Sequence, residues 1–244
     1  MTERRKRNMI SPPTRAYISE SRKAPEFTLL KLIHGYVYAR WTYLYISTGR
    51  GNHWLAKVFG PAVRWMSRLF PGKNSMEDPL ASGTFADGYH GKVMPLDAAK
   101  SLISVQEDIK LCDLEKVIPY PRARDIILRN PDHIVALECP CRAGVEDPCL
   151  PMDVCLIVGD PMAGMVRQFH PERSRQITRE EAGAILEAEH ERGHVHHAFF
   201  KDAVLGRYYA ICNCCSCCCG AMHAHQNGTP MLASSGYEVS VQED

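Results

Sequence analysis

Residues 133–142 read His-Ile-Val-Ala-Leu-Glu-Cys-Pro-Cys-Arg, four consecutive aliphatic residues running straight into a Cys-Pro-Cys turn. A short apolar run of this kind, bounded by Asn130 and Pro131 before it and by Pro140 after it, predicts a buried strand over Ile134–Leu137. The strand therefore delivers Cys139 and Cys141 into a loop. Two more cysteines follow closely, Cys149 and Cys155, with Gly144, Pro148 and Pro151 supplying turns between them. Four thiolates within seventeen residues are enough to hold one tetrahedral metal ion or one iron–sulfur cube.

Further out, the pattern stays regular. Val154–Val158 predicts a second strand around Cys155, and Leu96–Val105 and Pro121–Leu128 predict short helices. Thr178 and Glu181 form a capping-box pattern for a helix through Glu191, with Gly193 as its stop. Arg207–Ile211 predicts a strand leading into Cys-Asn-Cys-Cys-Ser-Cys-Cys-Cys, residues 212–219, where six of eight positions are cysteine. A packed interior gains nothing from six oxidisable thiols that leucine would not supply, so metal binding is the reading for Cys212, Cys214, Cys215, Cys217, Cys218 and Cys219. Six thiolates exceed one four-ligand site. Either the turn coils around one centre with spare thiols, or it serves two centres and shares ligands with the first group.

Soft thiolate sites take zinc or iron–sulfur clusters. Paired Cys-x-x-Cys knuckles separated by a dozen or more residues, the usual zinc spacing, are absent, which favours iron–sulfur and leaves zinc as the alternative. The bacterial ferredoxin run is absent too, and although Cys218-Cys219-Gly220 is similar to the double-cysteine module of heterodisulfide-type reductases, no closing Cys-x-x-Cys follows. His190, His194, His196 and His197 gather near the end of the capped helix; they could bind metal or move protons, while histidines at a helix C-terminus ordinarily complement its dipole. Cys112 reads as a core residue.

The 244 residues have an average composition, 45% hydrophobic and 23% charged, with a net charge of +1. Both averages conceal a division. Residues 1–73 carry fourteen Lys or Arg against three acids, a balance of +11, and contain eleven of the twenty aromatic residues, while the remaining chain carries −10 and all eleven cysteines. Lys31, His34 and Arg40 interrupt the apolar stretch Phe27–Ile46, which argues against a membrane span. Along Trp54–Phe70, Lys57, Arg64 and Arg68 fall on one line of a helix surrounded by apolar side chains. Residues 15–73 therefore read either as a region that docks to a membrane surface, a membrane oxidoreductase or another partner, or as a helical hairpin packed on the rest of the chain. Nucleic acid is a poor third partner, because the basic residues alternate with aliphatic ones and no recognised binding motif is present. The basic start is followed by Ser11, Pro12 and Pro13 rather than by an apolar stretch, so a cytoplasmic protein is expected, peripheral on the inner membrane face if the segment docks there.

The order VIPYPRARDIILRNPDHIVALECPCR (117–142), Cys149 and Cys155, RQITREEAGAILEAEHERGHVHH (175–197) and YYAICNCCSCCC (208–219) resembles 4Fe-4S-binding, ferredoxin-like iron–sulfur proteins of anaerobic bacteria and archaea. In that family a CxCR element, two further cysteines, an ITREEA-type helix ending near Gly-Leu-Val-His, and an ICNCC-x-x-CC element recur in this order. The resemblance implies cluster ligation by Cys139, Cys141, Cys149, Cys155, Cys212, Cys214, Cys215, Cys218 and Cys219, with His196 at the recurrent histidine. Cys217 departs from the pattern, and the two-cluster ferredoxin module that closes many members is missing here.

The expected organisation is α+β: a helical, basic docking region over 1–75, a cysteine-rich iron–sulfur domain with short strands over 76–225 that could be winged-helix-like, and a flexible tail over 226–244. The function expected is electron transfer through one or more [4Fe-4S] clusters to a redox partner protein. The alternatives are a metal- or redox-sensing winged-helix regulator, a zinc-binding protein, or catalysis by an open cluster or by vicinal thiols. No acid–base pair, phosphate loop or dinucleotide fingerprint appears.

Overall fold

The structure, a computed structural model, describes residues 10–24, 27–51, 53–55, 89–106, 109–111, 126–201, 203–228 and 231–233. In chain order its strands are β1 (Tyr89–Met94), β2 (Ile109–Leu111), β3 (Ile126–Leu128), β4 (Ile134–Leu137), β5 (Cys155–Val158), β6 (Ser174–Ile177), β7 (Val195–Lys201), β8 (Arg207–Cys214) and β9 (Leu232–Ala233). The helices are α1 (Pro12–Ser21), α2 (Leu29–Arg40), α3 (Thr42–Gly49), α4 (Leu96–Ile103), α5 (Met162–Phe169), α6 (Arg179–Glu191) and α7 (Gly220–Gln226). The fold is α+β, with a helical N-terminal part and a cysteine-rich part that contains the strands.

All four residues of β4 are buried, as an aliphatic run flanked on both sides requires. The strand pairs antiparallel with β5 and β6 and so lies inside a sheet of order β6-β4-β5-β8-β7-β1-β9, antiparallel except for the β1–β9 pair. Helix α6 begins as expected: the Thr178 side chain accepts a hydrogen bond from the Glu181 amide, and Gly193 takes the left-handed conformation, φ +75°, just past the helix end. The helix and following strand that suggested a winged helix are present, but the strand, β7, is an interior strand of a seven-stranded sheet, between β8 and β1, rather than part of a small wing. The helix expected over Pro121–Leu128 is not formed where the chain is described. Ile126–Leu128 is strand β3, paired antiparallel with β2, because a β-branched run that finds a strand partner overrides a local helical pattern. The other residues of that stretch, 121–125, lie outside the described residues, as do Cys112 and 56–70 of the basic amphipathic stretch.

Successive side chains of a strand point to opposite faces, and here the two faces have different contents. One face packs Ile134, Ala136, Leu156, Val158, Ile177, Ala198 and Ile211 against Ala99 and Ile103 of α4 and Ala182 and Leu186 of α6. The other carries Val135, Leu137, Cys155, Ile157, Phe199, Tyr209, Ala210 and Cys214 under α1, α2 and α5. A bulge between β7 and β8 sets Phe199 opposite Ala210 and Phe200 opposite Tyr208, so Tyr209 is the extra residue of the bulge and joins Ala210 on the second face.

Helices α1 and α2 reach that second face through hydroxyls. Tyr17 donates to the Ala203 carbonyl at 2.6 Å, the Tyr38 and Tyr209 hydroxyls lie 2.8 Å apart, and Tyr43 donates to the Glu138 carbonyl at 2.7 Å. Gly35 of α2 is where the helix comes closest: a Cβ there would lie 1.8 Å from the Ala203 carbonyl oxygen, which excludes every other residue without backbone movement. Glu20, one of the three acids of the basic segment, is nearly buried and paired with Arg207 at 2.6 Å. The apolar stretch Phe27–Ile46 is divided between α2 and α3 at Trp41, and no helix among the described residues is long and apolar enough to cross a membrane.

Candidate metal centre

Ten cysteines are described and all are free thiols. Strand pairing decides their neighbours. Cys155 opens β5 and lies directly opposite Cys212 of β8, and its other cross-strand partner is Leu137, two residues before Cys139. The Cys139 amide donates to the Met152 carbonyl at 2.7 Å and the Ala143 amide to the Cys139 carbonyl at 2.9 Å, while the Gly144 and Val145 amides close the 3-10 turn Arg142–Gly144 on the Cys141 and Arg142 carbonyls at 3.4 and 3.2 Å. Cys214 ends β8, Cys215–Cys218 make a turn, and Cys219 precedes α7.

The sulfurs divide four and six. Cys149, Cys215, Cys217 and Cys218 have their Sγ atoms all within 4.8 Å of one another, with Cys149 and Cys217 at 3.0 Å and Cys217 and Cys218 at 3.5 Å. A tetrahedral ion with metal–sulfur bonds of ~2.3 Å holds its ligands about 3.8 Å apart, so this quartet is a group that could hold one metal ion. Cys217 is exposed and Cys149 half-buried, while Cys215 and Cys218 are buried. The other six form a chain of neighbours, Cys212–Cys155–Cys139–Cys141–Cys219–Cys214, the last pair 3.2 Å apart.

The two groups are interleaved along one loop. Cys212, Cys214 and Cys219 belong to the six, and Cys215, Cys217 and Cys218 to the four. Proximity in sequence suggested that Cys139, Cys141, Cys149 and Cys155 would share one centre; the structure separates Cys149 from the other three and brings it to the second cysteine run. Cys217, outside the family pattern, stands in the quartet.

The thiols influence one another's charge. Hydrogen bonds from Cys139 and Cys219 hold Cys141 well below the ordinary thiol range, helped by the Gly220 amide 3.4 Å from its sulfur and by the Arg50 guanidinium. Cys139 is pushed up by its hydrogen bonds to Cys141 and Cys155 and by burial. Cys217 is drawn down to about 7 by hydrogen bonds from Cys149 and Cys218. Each group thus holds one thiol, Cys141 or Cys217, whose thiolate is favoured by its neighbours.

Two arginines support the loops. Arg50, just past α3, donates through Nη1 to the carbonyls of Cys141 and Cys218, one residue from each group. Nothing in the sequence marked it among fourteen basic residues of a segment read as a docking surface. Arg142, 1% exposed, donates to the Pro151 carbonyl and forms a buried ion pair with Glu189 of α6 at 2.6 Å, so the turn behind Cys141 is tied to the helix that closes the aliphatic face. Glu189 also accepts from His194 Nδ1 at 2.6 Å and from Arg192 at 3.0 Å.

Only His190 lies in the last turn of α6, since His196 and His197 belong to β7. The dipole explanation therefore does not extend to that pair. His196 lies on the aliphatic face, with Nδ1 2.6 Å from the Asn213 side-chain oxygen and its ring stacked on His190; Asn213 in turn donates to the Val154 carbonyl at 2.8 Å. It is not brought among the sulfurs. His197 lies on the opposite face, fully buried, and burial pushes its pKa down to about 4. At the far end of the same strand Lys201 is buried over the rings of Tyr38 and Tyr45, 4.7 and 4.9 Å from their centroids, and burial pulls it down to about 7. Comparison with family models, curated proteins and solved structures finds no match for this chain.

Proposed function

We propose that this chain is an iron–sulfur electron-transfer protein, with a [4Fe-4S] cluster held among the six largely buried thiols and a second metal centre in the quartet that contains the exposed Cys217. The observation that carries the reading is the interleaving of the two thiol groups along residues 212–219, which brings two sets of possible ligands side by side with backbone shared between them. A cluster supplies one-electron redox chemistry when bound. The residues of the chain supply the rest: Cys139, Cys155, Cys214 and Cys219 are buried and Cys141 and Cys212 half-buried, which limits water at the site, and the Gly220 amide and Arg50 place positive charge beside Cys141, both of which would set a potential. The exposed Cys217 and half-buried Cys149 bring the quartet toward the surface, where a redox-active metal held by these four thiols would be within reach of a partner protein. The order of motifs that resembles 4Fe-4S-binding proteins supports the same reading.

The basic N-terminal helices would receive the partner. Phe27, Leu29, Leu30 and Ile33 are exposed beside Lys31, with Leu30 79% accessible, which suits contact with a redox protein or an anionic membrane surface. A second reading rests on the quartet alone: sulfurs all within 4.8 Å of each other suit a single zinc ion better than the wider spacing of a cube. Isolation without oxygen, followed by iron, sulfide and zinc analysis and EPR of the reduced protein, tests both. Iron with matching sulfide and a reducible signal is the expected result. Stoichiometric zinc without iron overturns the electron-transfer reading.

A further inference from the structure

His197 occupies a particular place in the sheet. Leu137, Cys155, Cys212, His197 and Val93 are successive cross-strand partners on β4, β5, β8, β7 and β1, so they form one row across the sheet. Residues directly opposite in an antiparallel pair project to the same face with Cβ atoms about 5 Å apart, which sets the imidazole beside the Cys212 side chain. Its ring also lies 6.0 Å from Phe199, a member of the core on the cysteine-bearing face.

This ring is 0% exposed, and neither Nδ1 nor Nε2 has a hydrogen-bond partner. A buried imidazole in a native core is ordinarily satisfied, and an aliphatic side chain would fill the position without leaving two polar nitrogens dry. The Val195 backbone pulls the pKa of the ring upward, though neither ring nitrogen reaches hydrogen-bond geometry with it. A metal-binding histidine characteristically turns one nitrogen toward a backbone carbonyl and offers the other to the metal. His197 offers such a nitrogen, without a hydrogen-bond partner, on the residue directly across the strand pair from Cys212.

We propose that His197 supplies a nitrogen ligand to the metal centre held by the buried thiols, next to Cys212, and that His196, at the position where the family resemblance places a recurrent histidine, does not. The assignment rests on the reading above that these thiols hold a metal, and it adds one ligand of a different chemical class to an otherwise all-sulfur set.

The test uses the full chain isolated without oxygen, with His197→Leu and His196→Gln alongside. Pulsed EPR of the reduced protein should show strong nitrogen coupling in the wild type and in His196→Gln, and should lose it in His197→Leu, with a shifted reduction potential. The metal-free His197→Leu chain should keep the circular dichroism and thermal stability of the wild type, since it loses only unpartnered nitrogens; lost coupling in a folded chain is then a ligand effect. Iron and sulfide present without nitrogen coupling, or coupling that survives in His197→Leu, overturns the assignment while leaving the iron–sulfur reading intact. Zinc without iron defeats that reading instead, and zinc-edge X-ray absorption then decides the histidine: a nitrogen contribution lost in His197→Leu supports it, and a sulfur-only shell overturns it.

Discussion

The two faces of the seven-stranded sheet come from the same strands and differ by single steps along each. Ile134, Ala136, Leu156, Ile177 and Ile211 give one face an aliphatic core against α4 and α6, whereas Cys155, Cys212, Cys214, His197, Tyr209 and Lys201 crowd the other beneath α1, α2 and α5. Period-two alternation makes this division possible without any change of secondary structure. The aliphatic face is covered by its own helices, with the Tyr208 hydroxyl and His196 Nε2 its buried polar atoms without a hydrogen-bond partner among the described residues. The other face gathers thiols, an imidazole whose nitrogens have no hydrogen-bond partner, and a buried ammonium that donates to the Tyr45 hydroxyl at 3.3 Å, polar groups whose burial costs stability. Stability and chemistry are thus separated by the pleat of a single sheet.

The difference can be broken most forcefully from the aliphatic side. Leu186 is fully buried between α6 and the sheet, so Leu186→Ala should cost about 2–5 kcal/mol in denaturant unfolding while leaving the metal content of the folded chain unchanged. Loss of metal in proportion to stability would show that the faces are not independent.

Lys201 gives the next largest effect and belongs to the chemical face. Its folded pKa of about 7 lies below the ordinary 10.5, so between these values the unfolded chain binds more protons and stability rises with pH. The cost of burying the ammonium is fully present below pH 7. Between pH 7 and 9.5 the chain should gain about 2–4 kcal/mol from this group, and Lys201→Met should flatten that rise. An equal slope in the variant would place the titration elsewhere.

Cys214→Ser and Cys217→Ser sharpen the contrast between the two thiol groups with the smallest effect on folding. Each should change metal-free stability by about 1 kcal/mol or less. Cys214→Ser should reduce the metal bound by the buried six, and Cys217→Ser that of the exposed four, each leaving the other centre measurable by metal analysis. Loss of both centres from either substitution would mean one shared site.

Much of the framework was legible locally. Ile134–Leu137 is a strand because four aliphatic residues lie between turn signals, and α6 starts and stops where Thr178 and Gly193 say it should, since caps act within one turn of the helix. Ile126–Leu128 was misread as helix because its partner β2 lies fifteen residues upstream and only pairing makes it a strand. Arg50 escaped notice for a similar reason: its carbonyl partners, Cys141 and Cys218, are 91 and 168 residues away.

By itself the sequence determined that the chain is α+β, that its charge divides near residue 73, and that two dense cysteine runs point to metal, because these are matters of composition, period and short spacing. Only the tertiary structure decided which thiols are neighbours. The order β4-β5-β8-β7 aligns Cys155, Cys212 and His197 in one row and puts His196 on the opposite face, while the turn after β8 carries Cys215, Cys217 and Cys218 to Cys149. Register across a sheet is a long-range property, and shifting it by one residue would exchange His196 for His197 beside the sulfurs.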